Sequence, residues 1–311
     1  MPSRPPRPSR PRLRRFDPAR SARALLAEAD AWVEVVRRLA DHHRAAELLD
    51  APSGLTGWRI RDLLAHVVMG MEEVPARLAE PRPERAEMDL LGWIGATAGA
   101  AATVDELARA DAETAAATPP GALVERFRAA RQRLAEAVAA EPAERPVPTR
   151  YAPMSLGDRV VTRIVELVVH GDDLQRALAA HSERQSEGEG REAPHGAPPP
   201  QAVAALPAAL PAEFPHDRQA LATVVRLFAD ALAASAPGGA VEVRVPPFAV
   251  VQCVEGPRHT RGTPPNVVET DPLTWLRLAT GRTRWVEAVG AAAVTASGER
   301  SDLAPHLPLM G

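Results

Sequence analysis

A change of character between residues 181 and 215 constrains the possible folds of this chain more than any other feature. This segment is rich in Glu, Ser, Gly and Pro and includes Ala-Pro-Pro-Pro at 197–200. Such a composition is typical of a linker, flexible at first and extended later. Apolar residues recur at helical spacing before it, and strand-like patterns appear after it. The sequence therefore predicts an α+β protein of two domains, residues 17–180 and residues 216–311.

The first domain has the pattern of a helix bundle. Asp17-Pro18 resembles an N-cap followed by Pro at the first helical position, and Ser155-Leu-Gly-Asp158 resembles a capping box. Turn-forming residues and prolines separate the apolar repeats. Four or five helices joined by short loops predict an antiparallel bundle. The expected helices cover about 19–48, 58–80, 87–116, 123–140 and 155–180.

The second domain combines helices and strands. A helix is expected at about 216–235, and Pro237-Gly-Gly239 then ends the helical pattern. Asp271-Pro272 is predicted to cap a short helix that runs through Ala279. The remaining expected elements are strands at Val241–Val245, Phe248–Val254, Pro265–Thr270 and Ala292–Ala296, and a helix from Trp285 to Gly290.

Composition excludes several classes of protein. The net charge of −3 gives the whole chain no attraction for nucleic acid or anionic membranes. No segment has the roughly 20 apolar residues that span a bilayer, so a cytoplasmic protein without a membrane span is expected. The single cysteine, Cys253, rules out an intramolecular disulfide and a Cys-based zinc site. It lies in an apolar run and is expected to be a buried, inert strand residue.

Residues 1–16 are rich in Arg and Pro and contain no apolar run of the kind found in secretory signals. Such a segment cannot bury apolar surface, so a disordered arm is predicted. A solvated tail is favoured over a nucleic-acid contact on composition.

Three polar side chains interrupt the apolar pattern of the bundle. His66 is flanked by leucines and valines, and Glu166 and His170 are four residues apart on one helical face. An unpaired carboxylate facing a core is unfavourable by several kcal/mol. A divalent ion held by two imidazoles and a carboxylate removes this penalty and leaves one position open. Two simpler interpretations stay open: His66 as a hydrogen-bonded core residue, and Glu166 paired with an arginine one turn away, Arg163 or Arg159.

Two segments around these residues resemble a known family. Trp58-Arg-Ile-Arg-Asp-Leu-Leu-Ala-His66 and Glu166-Leu-Val-Val-His-Gly-Asp-Asp-Leu174 resemble the two motifs of the mycothiol-dependent maleylpyruvate isomerase family, which are DinB-like four-helix bundles. The resemblance covers about residues 19–180. It implies zinc ligands at His66, Glu166 and His170, and an orienting or structural role for Asp173. Nickel or iron would also tolerate this ligand set.

The resemblance also implies a chemistry. The open zinc position would accept the thiol of mycothiol, which ionises when a cation binds it. The thiolate would add reversibly to an activated cis double bond and so permit isomerisation, or attack an electrophile in a thiol transfer. The substrate is not implied, and no residue is assigned as general acid or base.

The end of the chain resembles a bacterial sterol-carrier-like domain. The resemblance rests on Asp271-Pro-Leu-Thr-Trp-Leu-Arg-Leu-Ala-Thr-Gly-Arg282, Ala296-Ser-Gly-Glu-Arg-Ser-Asp-Leu303 and His306-Leu-Pro-Leu309. It implies an alternative function, in which this domain carries a lipid or other apolar ligand and the bundle is a structural or regulatory partner. A third alternative is a metal-bound bundle without catalysis.

Two kinds of side chain in this domain have more than one interpretation. Trp275 and Trp285 would line a cavity or, as favoured, fill the core. Arg282 is a candidate contact for an anionic substrate, against the simpler interpretation of a surface or capping arginine.

Overall fold

The computed structural model describes residues 14–97, 118–192, 210–211, 213–257 and 264–310, with the backbone alone for 186–192. Most of the predicted N-terminal arm, the later part of the helix expected at 87–116 and the middle of the predicted linker lie outside these residues. The chain forms two compact units. A helical N-terminal region is followed by a C-terminal α+β region with a four-stranded mixed sheet.

The first unit is almost entirely helical. The N-cap predicted at Asp17 is confirmed, because its carboxylate accepts a hydrogen bond from the amide of Arg20 at 2.7 Å. The Ser155 hydroxyl caps another helix by accepting from the amide of Asp158 at 3.1 Å. The helices of this unit are α1 (Pro18–Asp41), α2 (Ala45–Asp50), α3 (Ile60–Ala79), α5 (Pro120–Ala140) and α6 (Leu156–Glu192). A further helix, α4 (Leu90–Thr97), groups with the second unit.

Large apolar side chains hold the first unit together. Helix α3 packs against both α5 and α6. Trp32 of α1 is fully buried, stacks on Phe127 of α5 with ring centroids 6.2 Å apart, and donates its indole N–H to the carbonyl of Leu167 on α6 at 3.1 Å. Burial of a tryptophan of this size with its polar atom satisfied is a strong packing contribution. The four long helices therefore share one core.

The single helix predicted at 19–48 is two helices. The apolar repeat of α1 ends at Leu39, and the next buried leucines are Leu48 and Leu49. At 100° per residue, a continuous helix would place Leu48 about half a turn away from Leu39. The turn between α1 and α2 lets the apolar faces of both helices reach the core. The sequence did not indicate this turn, because residues 42–44 contain no Pro or Gly.

Two other predictions for this region need correction. Helix α6 continues to Glu192, beyond the end expected at about Ala180, and contacts between Gln185 and Glu47 of α2 (2.7 Å) support the extension. The segment expected to be a simple loop before α6 contains a short antiparallel pair, β1 (Pro146–Val147) and β2 (Met154–Ser155).

The second unit is built on a sheet with the strand order β4-β3-β5-β6. Strand β3 pairs antiparallel with β4 and parallel with β5, and β6 completes the sheet antiparallel to β5. Alternate residues of β3 are buried, as expected for a strand with one face against a core. The elements of this unit besides α4 are α7 (Arg218–Ser235), β3 (Val241–Val245), β4 (Ala249–Cys253), β5 (Val267–Thr270), α8 (Pro272–Ala279), α9 (Trp285–Gly290) and β6 (Val294–Ser297).

Local sequence signals in the second unit are confirmed. The Asp271 side chain accepts hydrogen bonds from the amides of Leu273 and Thr274, so it caps α8 as predicted. Trp275 is 1% exposed and donates its indole N–H to the carbonyl of Val225 on α7. It fills the core, in agreement with the favoured interpretation. Among the helices in the described part of the chain, none combines the length and apolarity needed to cross a bilayer.

Candidate metal centre

The three side chains singled out in the sequence converge where α3 packs against α6. His66 projects from α3, and Glu166 and His170 project from α6. Oε2 of Glu166 lies 3.6 Å from Nε2 of His66 and 3.5 Å from Nε2 of His170. Among the described residues, these three form a group whose potential ligand atoms all lie within 4.8 Å of one another. The group could hold a metal ion.

The distances fit tetrahedral coordination. Ligand atoms about 2.1 Å from an ion, at tetrahedral angles, lie about 3.4 Å from one another. Both carboxylate-to-imidazole distances are close to this value. The donor set, two imidazole nitrogens and one carboxylate oxygen, is one that zinc accepts with a fourth position left open. The residues present therefore fit a divalent ion.

Neighbouring groups orient both imidazoles. Nδ1 of His170 lies 3.0 Å from Oδ2 of the buried Asp173. A carboxylate only accepts, so Nδ1 carries a proton, and in the neutral ring Nε2 therefore has the lone pair that an ion requires. The ring of His66 meets that of Trp58 edge-on, with centroids 5.3 Å apart. Nδ1 of His66 is buried without a hydrogen-bond partner among the described residues, so the orientation of this ring rests on its packing against Trp58 and on the contact of Nε2 with Glu166.

Charges and burial at the site favour the deprotonated forms of Glu166 and His66, which are the forms that bind a metal. Burial raises the pKa of Glu166, but the charge of Arg163 and the contacts with both histidines outweigh it and hold that pKa well below its ordinary value. Burial lowers the pKa of His66 more than Glu166 raises it, which keeps this imidazole neutral. Ligands must be deprotonated to bind a metal, so both residues are prepared for it.

His170 differs from the other two. Burial lowers its pKa, but hydrogen bonds and charge interactions with Asp173 and Glu166 outweigh this effect, so the pKa of His170 lies above its ordinary value. An ion must therefore displace a proton from Nε2 when it binds at acidic pH.

Two further charged residues, Arg163 of α6 and Glu73 of α3, lie beside the candidate ligands. Arg163 lies one turn before Glu166 on α6, and its Nη2 is 3.4 Å from Oε1 of Glu166. The arginine pairing left open by the sequence therefore exists for Arg163, alongside the histidine contacts rather than instead of them. Arg159 instead contacts Glu73 of α3, as does Arg163. Sequence reasoning missed Glu73, although its spacing of seven residues from His66 places it on the same face of α3.

The site opens on a small, mostly apolar pocket with a free volume of about 10 Å³, which is room for about one water molecule. Apolar walls exclude water and strengthen electrostatic interactions within the site. Besides the three candidate ligands and Arg163, the pocket is lined by Leu25, Val67, Gly70, Met71, Leu134 and Leu167.

Two other residues considered in the sequence lie in the second unit. Arg282 donates from Nη1 to the carbonyl of Thr280, 3.2 Å away at the end of α8, as a capping arginine would. Cys253 is buried at the end of β4, and burial raises the pKa of its thiol to about 12. A thiol with this pKa is un-ionised at neutral pH and a poor nucleophile.

The second unit also contains a surface groove with a free volume of about 620 Å³. Trp285 is half-buried in its wall, so the core-filling interpretation holds for Trp275 and not for Trp285. Val286 and Val289, which are exposed, also line the groove. Its other apolar lining residues are Leu278, Ala304, Leu307 and Pro308.

Each of the two regions matches a known protein family. Residues 25–175 match the family model described as mycothiol maleylpyruvate isomerase N-terminal domain, and residues 217–309 match the model described as bacterial SCP ortholog. A crystal structure of the mycothiol-dependent maleylpyruvate isomerase is 15% identical, with a TM-score of 0.51, over 92% of this chain and 95% of that chain. A mutant of that isomerase is 16% identical, with a TM-score of 0.48, over 90% of this chain and 94% of that one. No curated protein matches the chain by sequence.

Fold and site together define a two-domain protein whose helical domain could hold a metal ion and whose C-terminal domain is α+β. More narrowly, the chain belongs to the mycothiol maleylpyruvate isomerase family through residues 25–175 and carries a bacterial SCP domain behind them. At 15% identity, the structural likeness is evidence for the fold and not for a shared activity.

Proposed function

We propose that the chain is a zinc-dependent enzyme that uses a small thiol, mycothiol, for cis–trans isomerisation or for thiol transfer to an electrophilic substrate. The supporting observation is the convergence of His66, Glu166 and His170 at distances that suit tetrahedral coordination. Membership of the family supports the choice of thiol. A bound zinc ion would lower the pKa of a coordinated thiol until it ionises at neutral pH.

The residues of the chain have separable tasks in this proposal. His66, Glu166 and His170 hold the ion, and Asp173 keeps His170 in the tautomer that leaves Nε2 free. The apolar wall around them, which includes Met71 and Leu134, keeps bulk water away from the thiol. Cys253 is excluded as the nucleophile by its burial and high pKa, so the thiol comes from a cofactor. Arg282 is proposed as a contact for an anionic substrate group.

Metal content and thiol-dependent turnover test the proposal together. Protein purified without an affinity tag is expected to contain stoichiometric zinc by elemental analysis, and to convert maleylpyruvate or a haloaromatic only when mycothiol is supplied. His170→Ala is expected to abolish both properties. His181→Ala is the matched control, because His181 lies further along the same helix and contacts Glu47 instead of the site. Wild-type protein without bound metal, or a His170→Ala variant with normal turnover, would contradict the proposal.

A second candidate function is supported by the groove of the C-terminal domain. Its mostly apolar lining and its free volume of about 620 Å³, which lies within the range of small-molecule sites, suit an acyl chain or another elongated apolar ligand. We propose lipid carriage as the alternative, in which the helical domain is structural or regulatory. The SCP domain is consistent with it.

Binding of a fluorescent fatty acid tests this alternative. Val286→Asp places a charge in the groove, where Val286 is 67% exposed, and should weaken binding markedly. Val250→Asp is the control, because Val250 is also exposed but lies on β4, outside the groove lining. Equal affinities for the two variants, or no binding by the wild type, would count against a carrier.

A further inference from the structure

Arg163 lies between the candidate ligand Glu166 and a second carboxylate. Its Nη2 is 3.4 Å from Oε1 of Glu166, and its Nη1 is 3.5 Å from Oε2 of Glu73. The side chain of Arg163 is only 11% exposed. A guanidinium is planar and offers its donors in a fixed geometry, so contacts with two carboxylates in a buried setting restrict its orientation.

The two carboxylate oxygens of Glu166 have different surroundings. Oε2 faces Nε2 of His66 and Nε2 of His170, whereas Oε1 faces Arg163. A carboxylate whose two oxygens are both free can bind a metal through one or both of them. With Oε1 engaged by a cation, Glu166 offers a single oxygen to an ion at the centre.

Helix α3 supplies the space and the counter-charge that Arg163 needs. A Cβ atom at Gly70 would lie 3.3 Å from Nη1 of Arg163, closer than ordinary van der Waals contact, so glycine leaves room for the guanidinium. His66, Gly70 and Glu73 are spaced at i, i+4 and i+7 and therefore share one face of α3. The same face of α3 thus carries the candidate ligand His66 and also Glu73, the carboxylate that contacts Arg163.

We propose that Arg163 is a positioning residue for the metal centre: it holds Glu166 so that Oε2 alone is presented to the ion, and Glu73 holds Arg163 in place. The inference rests on the proposed function, because it requires an ion bound by His66, Glu166 and His170.

This role predicts an effect opposite in sign to that of charge alone. A guanidinium near a cation repels it, so on Coulomb's law alone a neutral residue at position 163 would strengthen metal binding. A residue that orients a ligand has the reverse effect, since loss of such partners typically weakens metal affinity about 10- to 100-fold. The direction of the change therefore separates the two explanations.

Metal binding by the full-length protein provides the test. Zinc affinity is measured by competition with a chromogenic chelator, and the visible absorption bands of the cobalt-loaded protein report the coordination geometry. The variants are Arg163→Gln and Arg163→Met, of which the second preserves apolar packing if a buried amide prevents folding. Arg126→Gln is the control, because Arg126 joins α5 to Glu72 of α3 at 2.7 Å, away from the candidate ligands.

The expected result is a zinc affinity about 10- to 100-fold lower in a folded Arg163 variant, with altered cobalt bands. The Arg126→Gln variant should match the wild type in both measurements. If a folded Arg163 variant binds zinc as tightly as the wild type or more tightly, with unchanged cobalt bands, the positioning role is wrong while the metal centre stands. If the wild type itself binds neither metal, the proposed function fails first.

Discussion

Buried charged side chains in the helical unit are held by specific partners. Glu28 of α1 is fully buried, and its carboxylate accepts a hydrogen bond from the amide of Asp217 at 2.8 Å and lies 2.7 Å from Nδ1 of His216. Such a carboxylate is stable in the interior only while its partners are present. Glu166 follows the same rule, but its partners are two imidazoles and a guanidinium, which is an arrangement that also suits an ion.

Removal of the Glu28 carboxylate should therefore destabilise the protein strongly. Glu28→Ala leaves the amide of Asp217 and the ring of His216 without their acceptor, which should lower the free energy of unfolding by about 3 kcal/mol. Glu34→Ala on the same helix should cost less than about 1 kcal/mol, because the side chain of Glu34 is 41% exposed. Urea denaturation of the two variants measures the difference. Equal losses of unfolding free energy in Glu28→Ala and Glu34→Ala would contradict the prediction that the buried carboxylate contributes more than the exposed one.

Glu34 also gives a prediction of pH dependence. Hydrogen bonds from Arg37 and Arg38 lower the pKa of Glu34 to about 2. A carboxylate with a lowered pKa in the folded state contributes stability above its unfolded pKa of about 4.5, and this contribution is lost as the pH falls toward 2. The small stability difference between the wild type and Glu34→Gln should therefore be constant near neutral pH and shrink below about pH 4.5. A stability difference that grew as the pH fell would show that the pKa of Glu34 is not lowered in the folded protein.

At the scale of elements, α6 serves two purposes at adjacent positions. Arg163, Glu166 and His170 face the candidate metal centre. At Gly171, the helix is approached closely by Phe214, at the end of the predicted linker 181–215, and by His216 just after it. A Cβ atom there would lie 2.7 Å from Cε1 of His216 and 3.0 Å from Cδ1 of Phe214. Glycine at this position is thus required by packing and not by backbone conformation.

Gly171→Ala should consequently be destabilising, although alanine is the better helix former. We expect a loss of about 1–3 kcal/mol from overpacking against Phe214 and His216. Gly121→Ala in α5 is the matched control, because the methyl group it adds would have no heavy atom of a neighbouring residue within 4 Å, and it should be neutral or slightly stabilising. Thermal unfolding followed by circular dichroism compares the two. A Gly171→Ala variant as stable as the wild type would show that the segment around Phe214 is not held as described.

At the scale of the whole molecule, an ion that binds only the folded state should stabilise the helical domain. Free zinc at a hundred times its Kd would add about 2.7 kcal/mol to the free energy of unfolding. Differential scanning calorimetry of chelator-treated protein, with and without added zinc, should show a higher Tm for the helical domain when zinc is present. Glu166→Ala should remove this shift. A shift that persists in this variant would locate the bound ion elsewhere.

The described elements were predictable where local rules apply. The caps at Asp17, Ser155 and Asp271 were identified correctly because capping depends on residues within one helical turn. The break between α1 and α2 was not, because it allows Leu48 to be buried while α2 packs on α3, and such packing between helices leaves no local signal in the sequence. The extension of α6 to Glu192 likewise depends on contacts with α2, which no local pattern encodes.

The sequence by itself determined most of the helices, the strands of the four-stranded sheet, and the three polar residues that interrupt an apolar pattern, because periodicity and the unfavourable burial of charge are local properties. Only the tertiary structure decided that His66 comes within 3.6 Å of Glu166, and that Arg163 and Glu73 lie beside them. These contacts depend on how α3 packs against α6, and the distance between two helices far apart in the chain is set by the side chains of the whole core.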